Sequence, residues 1–89
     1  MKTFQDLPFD SMNDGFMIGK KARMHFDNGY GVSVVSHNHS YGGRDGLYEV
    51  GVLDSDDQLT YDTSVTNDVL GYLTEEDVTD IMKRVQELV

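Results

Sequence analysis

Lys21-Ala22-Arg23-Met24-His25-Phe26-Asp27-Asn28-Gly29-Tyr30-Gly31-Val32-Ser33-Val34-Val35-Ser36 is the stretch on which the fold turns. Ala22, Met24 and Phe26 alternate with Lys21, Arg23 and His25, the period of two of a half-buried strand. Asp27, Asn28 and Gly29 are residue types that accept a left-handed backbone in a tight turn. Beyond them Tyr30, Val32 and Val34 alternate through a β-branched run. Two such runs about one turn predict a β-hairpin.

Downstream, residues 37–46 form a polar loop broken by Gly42-Gly43 and Asp45-Gly46. Residues 47–53 are a third strand, with Tyr48, Val50 and Val52 on one face and Leu47, Glu49, Gly51 and Leu53 on the other. Asp54-Ser55-Asp56-Asp57 is a turn, residues 58–61 a short fourth strand with Leu59 and Tyr61 to one side, and residues 62–68 a polar connection. Val78, Ile81, Met82, Val85 and Leu88 then fall on one stripe of an amphipathic helix over 74–88. Thr74 is its N-cap and Asp77 completes a capping box, with Leu73 and Val78 placed for a hydrophobic staple. Glu75, Glu76 and Asp77 suit the positive end of the helix dipole, and Lys83 and Arg84 lie toward the negative end. Upstream, residues 1–20 lack a clean period. They read as an irregular arm with one helical turn, whose apolar side chains dock on the rest. The helix stripe needs an apolar partner, and the sheet face is the large one available. The expected class is α+β: an antiparallel three- to four-stranded β-meander over 21–61, packed against one C-terminal helix over 74–88, in a single domain spanning 1–89.

Eighty-nine residues build one core, and a core that small admits a homodimer. With 16 acidic and 7 basic side chains the net charge is −9, which argues against direct binding of nucleic acid or of an anionic membrane. The excess is uneven. Residues 47–89 carry eleven carboxylates against Lys83 and Arg84, whereas residues 21–46 carry three bases against two acids. Such asymmetry marks either a recognition surface or a solubilising coat. Cysteine is absent, which removes disulfides, thiolate metal sites and thiol nucleophiles. No apolar run approaches the roughly 20 residues of a membrane span, and no signal-peptide pattern opens the chain.

Catalytic and ligand motifs fail on spacing. His37 and His39, one residue apart, suggest a metal pair, with His25 or a carboxylate as third ligand. Asp54 starts a calcium-loop pattern, but Leu59 and Val65 stand where glycine and glutamate are needed. The glycines of residues 42–46 lack the lysine and hydroxyl of a phosphate loop. No serine sits in a nucleophile elbow. No cofactor motif is present. Tyr41 and Arg44 in the polar loop are the residue types that anchor protein interfaces.

Phe26-Asp27-Asn28-Gly29-Tyr30-Gly31-Val32-Ser33-Val34-Val35, Tyr48-Glu49-Val50-Gly51-Val52-Leu53 and residues 61–74 (YDTSVTNDVLGYLT) together resemble small, mostly uncharacterised proteins of tailed bacteriophages. In those the last stretch has proline after the threonine, where this chain has Ser64, and ends near Asp-Asp-Val-Ile-Gly, where this chain has Asn67-Asp68-Val69-Leu70-Gly71. The resemblance covers about residues 26–88, leaving the N-terminal arm and the loop over 37–46 outside it, and carries no catalytic residue. It implies a viral product acting in the host bacterial cytoplasm. The functional expectation is a non-enzymatic acidic protein that docks on, and inhibits, a host protein such as a nucleic-acid-binding one. Asp54, Asp56, Asp57, Asp62, Asp68, Glu75, Glu76 and Asp80 would face the partner, with Tyr41 and Arg44 as anchors. The alternatives are a virion assembly component and a metal-binding module built on His37 and His39.

Overall fold

The computed structural model describes residues 1–66 and 68–89; Asn67, inside the polar connection expected over 62–68, lies outside them. A single 3₁₀ turn, Phe4–Asp6, precedes β1 (Asp10–Asn13), β2 (Ile18–His25), β3 (Gly31–His37), β4 (Tyr48–Leu53), β5 (Leu70–Leu73) and α1 (Glu75–Gln86). The strands form one antiparallel sheet in the order β1-β2-β3-β4-β5, so the chain is α+β. No helix among the described residues is long and apolar enough to cross a membrane.

The β2–β3 hairpin closes where the sequence predicts. Phe26 N donates to Tyr30 O at 2.8 Å and Gly29 N donates to Phe26 O at 3.1 Å. Only Gly29 of the turn takes the left-handed backbone, at φ +88°. Asn28 does something else. Its Nδ2 donates to the carbonyls of Val85 and Leu88 at 2.9 and 3.0 Å, tying the hairpin tip to the last turn of α1 and to the residues just after it. Val85 O, in the last turn of the helix, also accepts from Leu88 N at 3.1 Å, and Leu88 O lies two residues past the helix end.

At the other end of α1, Thr74 Oγ1 accepts from Asp77 N at 3.1 Å and Asp77 Oδ2 accepts from Thr74 N at 3.0 Å, the predicted capping box. Val78, Ile81, Met82 and Val85 are buried against Ala22, Val32, Val34, Tyr48, Val50 and Val52. Burial of those four helix side chains favours folding by about 6–12 kcal/mol before entropy is subtracted. Leu53, on the opposite sheet face, is also fully buried.

The strand count exceeds the expected three to four, for local reasons. β1 is short and polar, Asp10-Ser11-Met12-Asn13, so it shows no alternation; it is an edge strand held by register to β2, and the segment expected to be irregular contributes it. The helical turn and the docking of that segment are as expected: Leu7 is buried, and Phe4 and Phe9 pack on Tyr48 at ring-centroid distances of 5.0 and 5.8 Å. Lys20 Nζ lies over the Phe9 and Tyr48 rings at 5.0 and 5.2 Å. The expected fourth strand over 58–61 shrinks to one bridge, Leu53 to Leu59. The β4 edge goes instead to β5, whose Leu73 and Leu70 face Tyr48 and Val50 across a register shift.

Candidate interaction surface

The turn between β1 and β2 and the loop between β3 and β4 meet at one end of the sheet, and Asn38 joins them. Its Oδ1 accepts from Ile18 N, its Nδ2 donates to Phe16 O, both at 2.9 Å, and its backbone N donates to Ile18 O at 3.1 Å. Asp14 stiffens the first turn: its Oδ1 accepts from Phe16 N at 2.9 Å and Met17 N at 2.7 Å. Hydrogen bonds from Met17 and Phe16 hold the Asp14 carboxyl below its ordinary value of 3.8, with nearby His39 adding a smaller pull.

These constraints present aromatic rings outward. Phe16 stacks on His39 at 4.4 Å between centroids and 20° between planes. Tyr41 stacks on Tyr72 at 6.4 Å and 26°. Of the eight exposed large apolar side chains among the described residues, four meet here: Phe16, Ile18, Tyr41 and Tyr72 are 66, 53, 58 and 63% exposed. A groove of about 370 Å³ lies between the two stacks, lined by Asn38, His39, Ser40, Gly42, Arg44, Asp45 and Tyr72. Arg44 Nε donates to Asn38 O at 3.1 Å.

The tyrosine pair depends on two glycines. Tyr72 N donates to Tyr41 O at 3.1 Å, and Tyr41 N donates to Glu49 Oε1 at 3.1 Å. A Cβ on Gly71 would stand 2.5 Å from Tyr41 Cβ, and one on Gly42 would stand 2.9 Å from Tyr72 Cα. Each tyrosine therefore has, beside it in sequence, a residue small enough to admit the other tyrosine. Tyr72 itself sits at φ +57°, a left-handed backbone that costs a residue with a Cβ about 1–2 kcal/mol. Such strain persists only where the surroundings hold it, and it gathers at functional positions.

The carboxylates do not form one face. Leu73 pairs with Tyr48 at the start of β4, so α1 begins at that end of the strand, with Glu75, Glu76 and Asp80 exposed beside Phe4 and Gln5. Asp54 follows Leu53 at the far end of the same strand, where Asp54 and Ser55 border Asn28, Gly29 and Val89. A six-residue strand is about 20 Å long, and that length divides the two groups. Several of these carboxylates also have partners. Asp57 lies 3.1 Å from the Arg23 guanidinium and 3.6 Å from His25 Nε2. Asp54 Oδ1 accepts from Asp56 N and Gln58 N, and Asp68 Oδ1 from Val69 N. Asp56 and Asp62 are exposed. The expectation of a single acidic docking face thus fails on strand direction, a property that a count of charges along the chain does not contain.

Tyr41 and Arg44 do lie together, in the groove end just described. Phe16, Ile18, His39 and Tyr72 were not singled out as contact residues from sequence. Their signal was there: apolar and aromatic residues beside Asn13-Asp14-Gly15 and Gly71, at positions where no strand or helix stripe buries them. His37 and His39 do not converge as a metal pair. His37 Nδ1 accepts from His39 N at 3.1 Å, the rings are 6.5 Å apart and tilted by 59°, and no group of three ligating side chains occurs among the described residues.

Compared with protein-family models, with curated proteins and with solved structures, the chain finds no match in any of the three.

Proposed function

We propose that this chain is a non-enzymatic binding module that docks on another protein through the aromatic end formed by Phe16, Ile18, His39, Tyr41 and Tyr72 around Arg44. One observation carries the reading: two stacked aromatic pairs are held exposed by loops that are hydrogen-bonded and sterically interlocked, one pair at the expense of a left-handed tyrosine. Water solvates such surface poorly, and rigid aromatic anchors with an arginine are the side chains that dominate protein interfaces. In the phage context suggested by the sequence, the partner is a protein of the bacterial host, and the mechanism is occlusion of that protein's own binding surface. The acidic residues then serve in steering and solubility more than in contact.

Site-specific photocrosslinking in bacterial cells tests this. A benzophenone amino acid is placed at Phe16, Tyr41 or Tyr72 and, as controls, at Asp56 or Tyr61. A discrete adduct from the first three positions and none from the controls is the expected result. Adducts from the controls alone, or an adduct at twice the chain mass of 10.0 kDa, would overturn the reading.

A further inference from the structure

Resting on that docking reading, the surroundings of the Tyr41–Tyr72 stack identify the chemistry of the partner. We infer that the partner contributes an arginine-bearing segment, whose guanidinium lies on the exposed face of that stack. Three observations converge. The first is the ring geometry. Two tyrosines stacked within 26° of parallel, each more than half exposed, offer a flat π-surface. A cation over such a face is attracted by the ring quadrupole, and arginine also stacks plane to plane.

The second is the local charge. Glu49 accepts from Tyr41 N, Asp45 lines the groove beside Tyr72, and Asp14 holds the turn that carries Phe16. Three carboxylates thus border the aromatic end, against Arg44 in the groove and Lys20 over the Tyr48 ring. The third is the whole-molecule charge of −9, which draws a basic partner at long range and repels an acidic one.

Arg44 is the feature that could recruit an acidic ligand instead. Its Nε donates to the carbonyl of Asn38, which fastens the loop, while its Nη donors are the competing feature that the glutamate peptide below tests. A guanidinium from the partner would reach the ring faces without displacing that bond, and its fork would meet a rim carboxylate in the bidentate geometry that lysine cannot copy.

The test uses the full-length ¹⁵N-labelled chain and three blocked peptides, Gly-Arg-Gly-Arg-Gly and its lysine and glutamate counterparts, followed by amide chemical shifts. The arginine peptide is expected to move Tyr41, Gly42, Gly71 and Tyr72 first and to bind more tightly than the lysine peptide. Tyr41→Ala is expected to weaken it about tenfold, whereas Tyr41→Phe and Tyr72→Phe, which keep the ring faces, retain it. Tyr61→Ala, which removes an exposed tyrosine away from this end, is expected to leave it unchanged. Tight binding of the glutamate peptide that is lost in Arg44→Gln would overturn the cationic partner while leaving docking at this end standing. Shifts centred on residues 54–57 would overturn it as unselective charge attraction. No shift with any peptide also overturns it, and the crosslinking from Tyr72 then judges the docking surface by itself.

Discussion

Tyr72 couples backbone strain to surface chemistry, and two substitutions separate them. Tyr72→Ala and Tyr72→Gly both remove a ring that is 63% exposed and stacked on Tyr41. Loss of that stack costs each variant about 0.5–1.5 kcal/mol. Alanine keeps a Cβ at φ +57°, whereas glycine adopts that backbone without the clash, which is worth about 1–2 kcal/mol. The greater freedom of glycine in the unfolded chain takes back part of this, leaving a difference of about 1 kcal/mol in favour of glycine. For a domain of this size that is about 4–8 °C in Tm. Thermal and urea unfolding followed by far-UV circular dichroism reads the difference. Tyr72→Gly is expected to be close to wild type in stability and Tyr72→Ala clearly below it, while both lose the docking surface. An alanine variant as stable as the glycine variant would refute the claim that strain is stored at Tyr72.

Other consequences follow from single contacts. Asn28→Ala removes two hydrogen bonds to the end of α1 and is expected to lower stability by about 1–2 kcal/mol in urea unfolding. Asn28→Asp, which cannot donate and brings a negative charge to the helix C-terminus, is expected to be no better than alanine. Gly71→Ala places a Cβ 2.5 Å from Tyr41 Cβ, so it is expected to cost about 1–3 kcal/mol and to alter the ring-current shifts of Tyr41 and Tyr72. The Asp14 carboxyl is lowered on folding, so its contribution is fully present above 3.8 and is lost as pH falls through the lowered value. A carboxyl titration by NMR is expected to give an Asp14 midpoint below 3.8, with the Phe16 and Met17 amides moving in step, and Asp14→Ala is expected to abolish that step.

The parts of the fold that were legible in sequence are those in which one period governs a whole element. The alternation from Ala22 to Phe26 buries Ala22 and packs Met24 and Phe26 half-buried against the core, the stripe from Val78 to Val85 is buried as its period selects, and β4 is buried on both faces. The cap at Thr74 was legible because its chemistry is local. β1 and β5 were not. Each is four residues long, β1 has no apolar alternation, and β5 contains Gly71 and a left-handed Tyr72, so both are defined by register to a neighbour rather than by their own residues. The aromatic end was half legible. Tyr41 and Arg44 share one loop and can be read together, but Phe16 and Tyr72 arrive from opposite ends of the chain. The acidic residues misled because proximity along the chain is not proximity in space: β4 carries Asp54 away from the end at which Glu75 begins.

Affinity for the crosslinked partner tests the central claim most directly. It should be measured for the wild-type chain, for Tyr41→Ala combined with Tyr72→Gly, and for Asp54→Asn, Asp56→Asn and Asp57→Asn together. The expected result is a loss of about tenfold or more in the aromatic variant, the scale of one or more interface anchors, with the acidic-turn variant close to wild type at physiological salt. The reverse order, with the aromatic variant unaffected and the acidic-turn variant crippled, would contradict docking through the aromatic end.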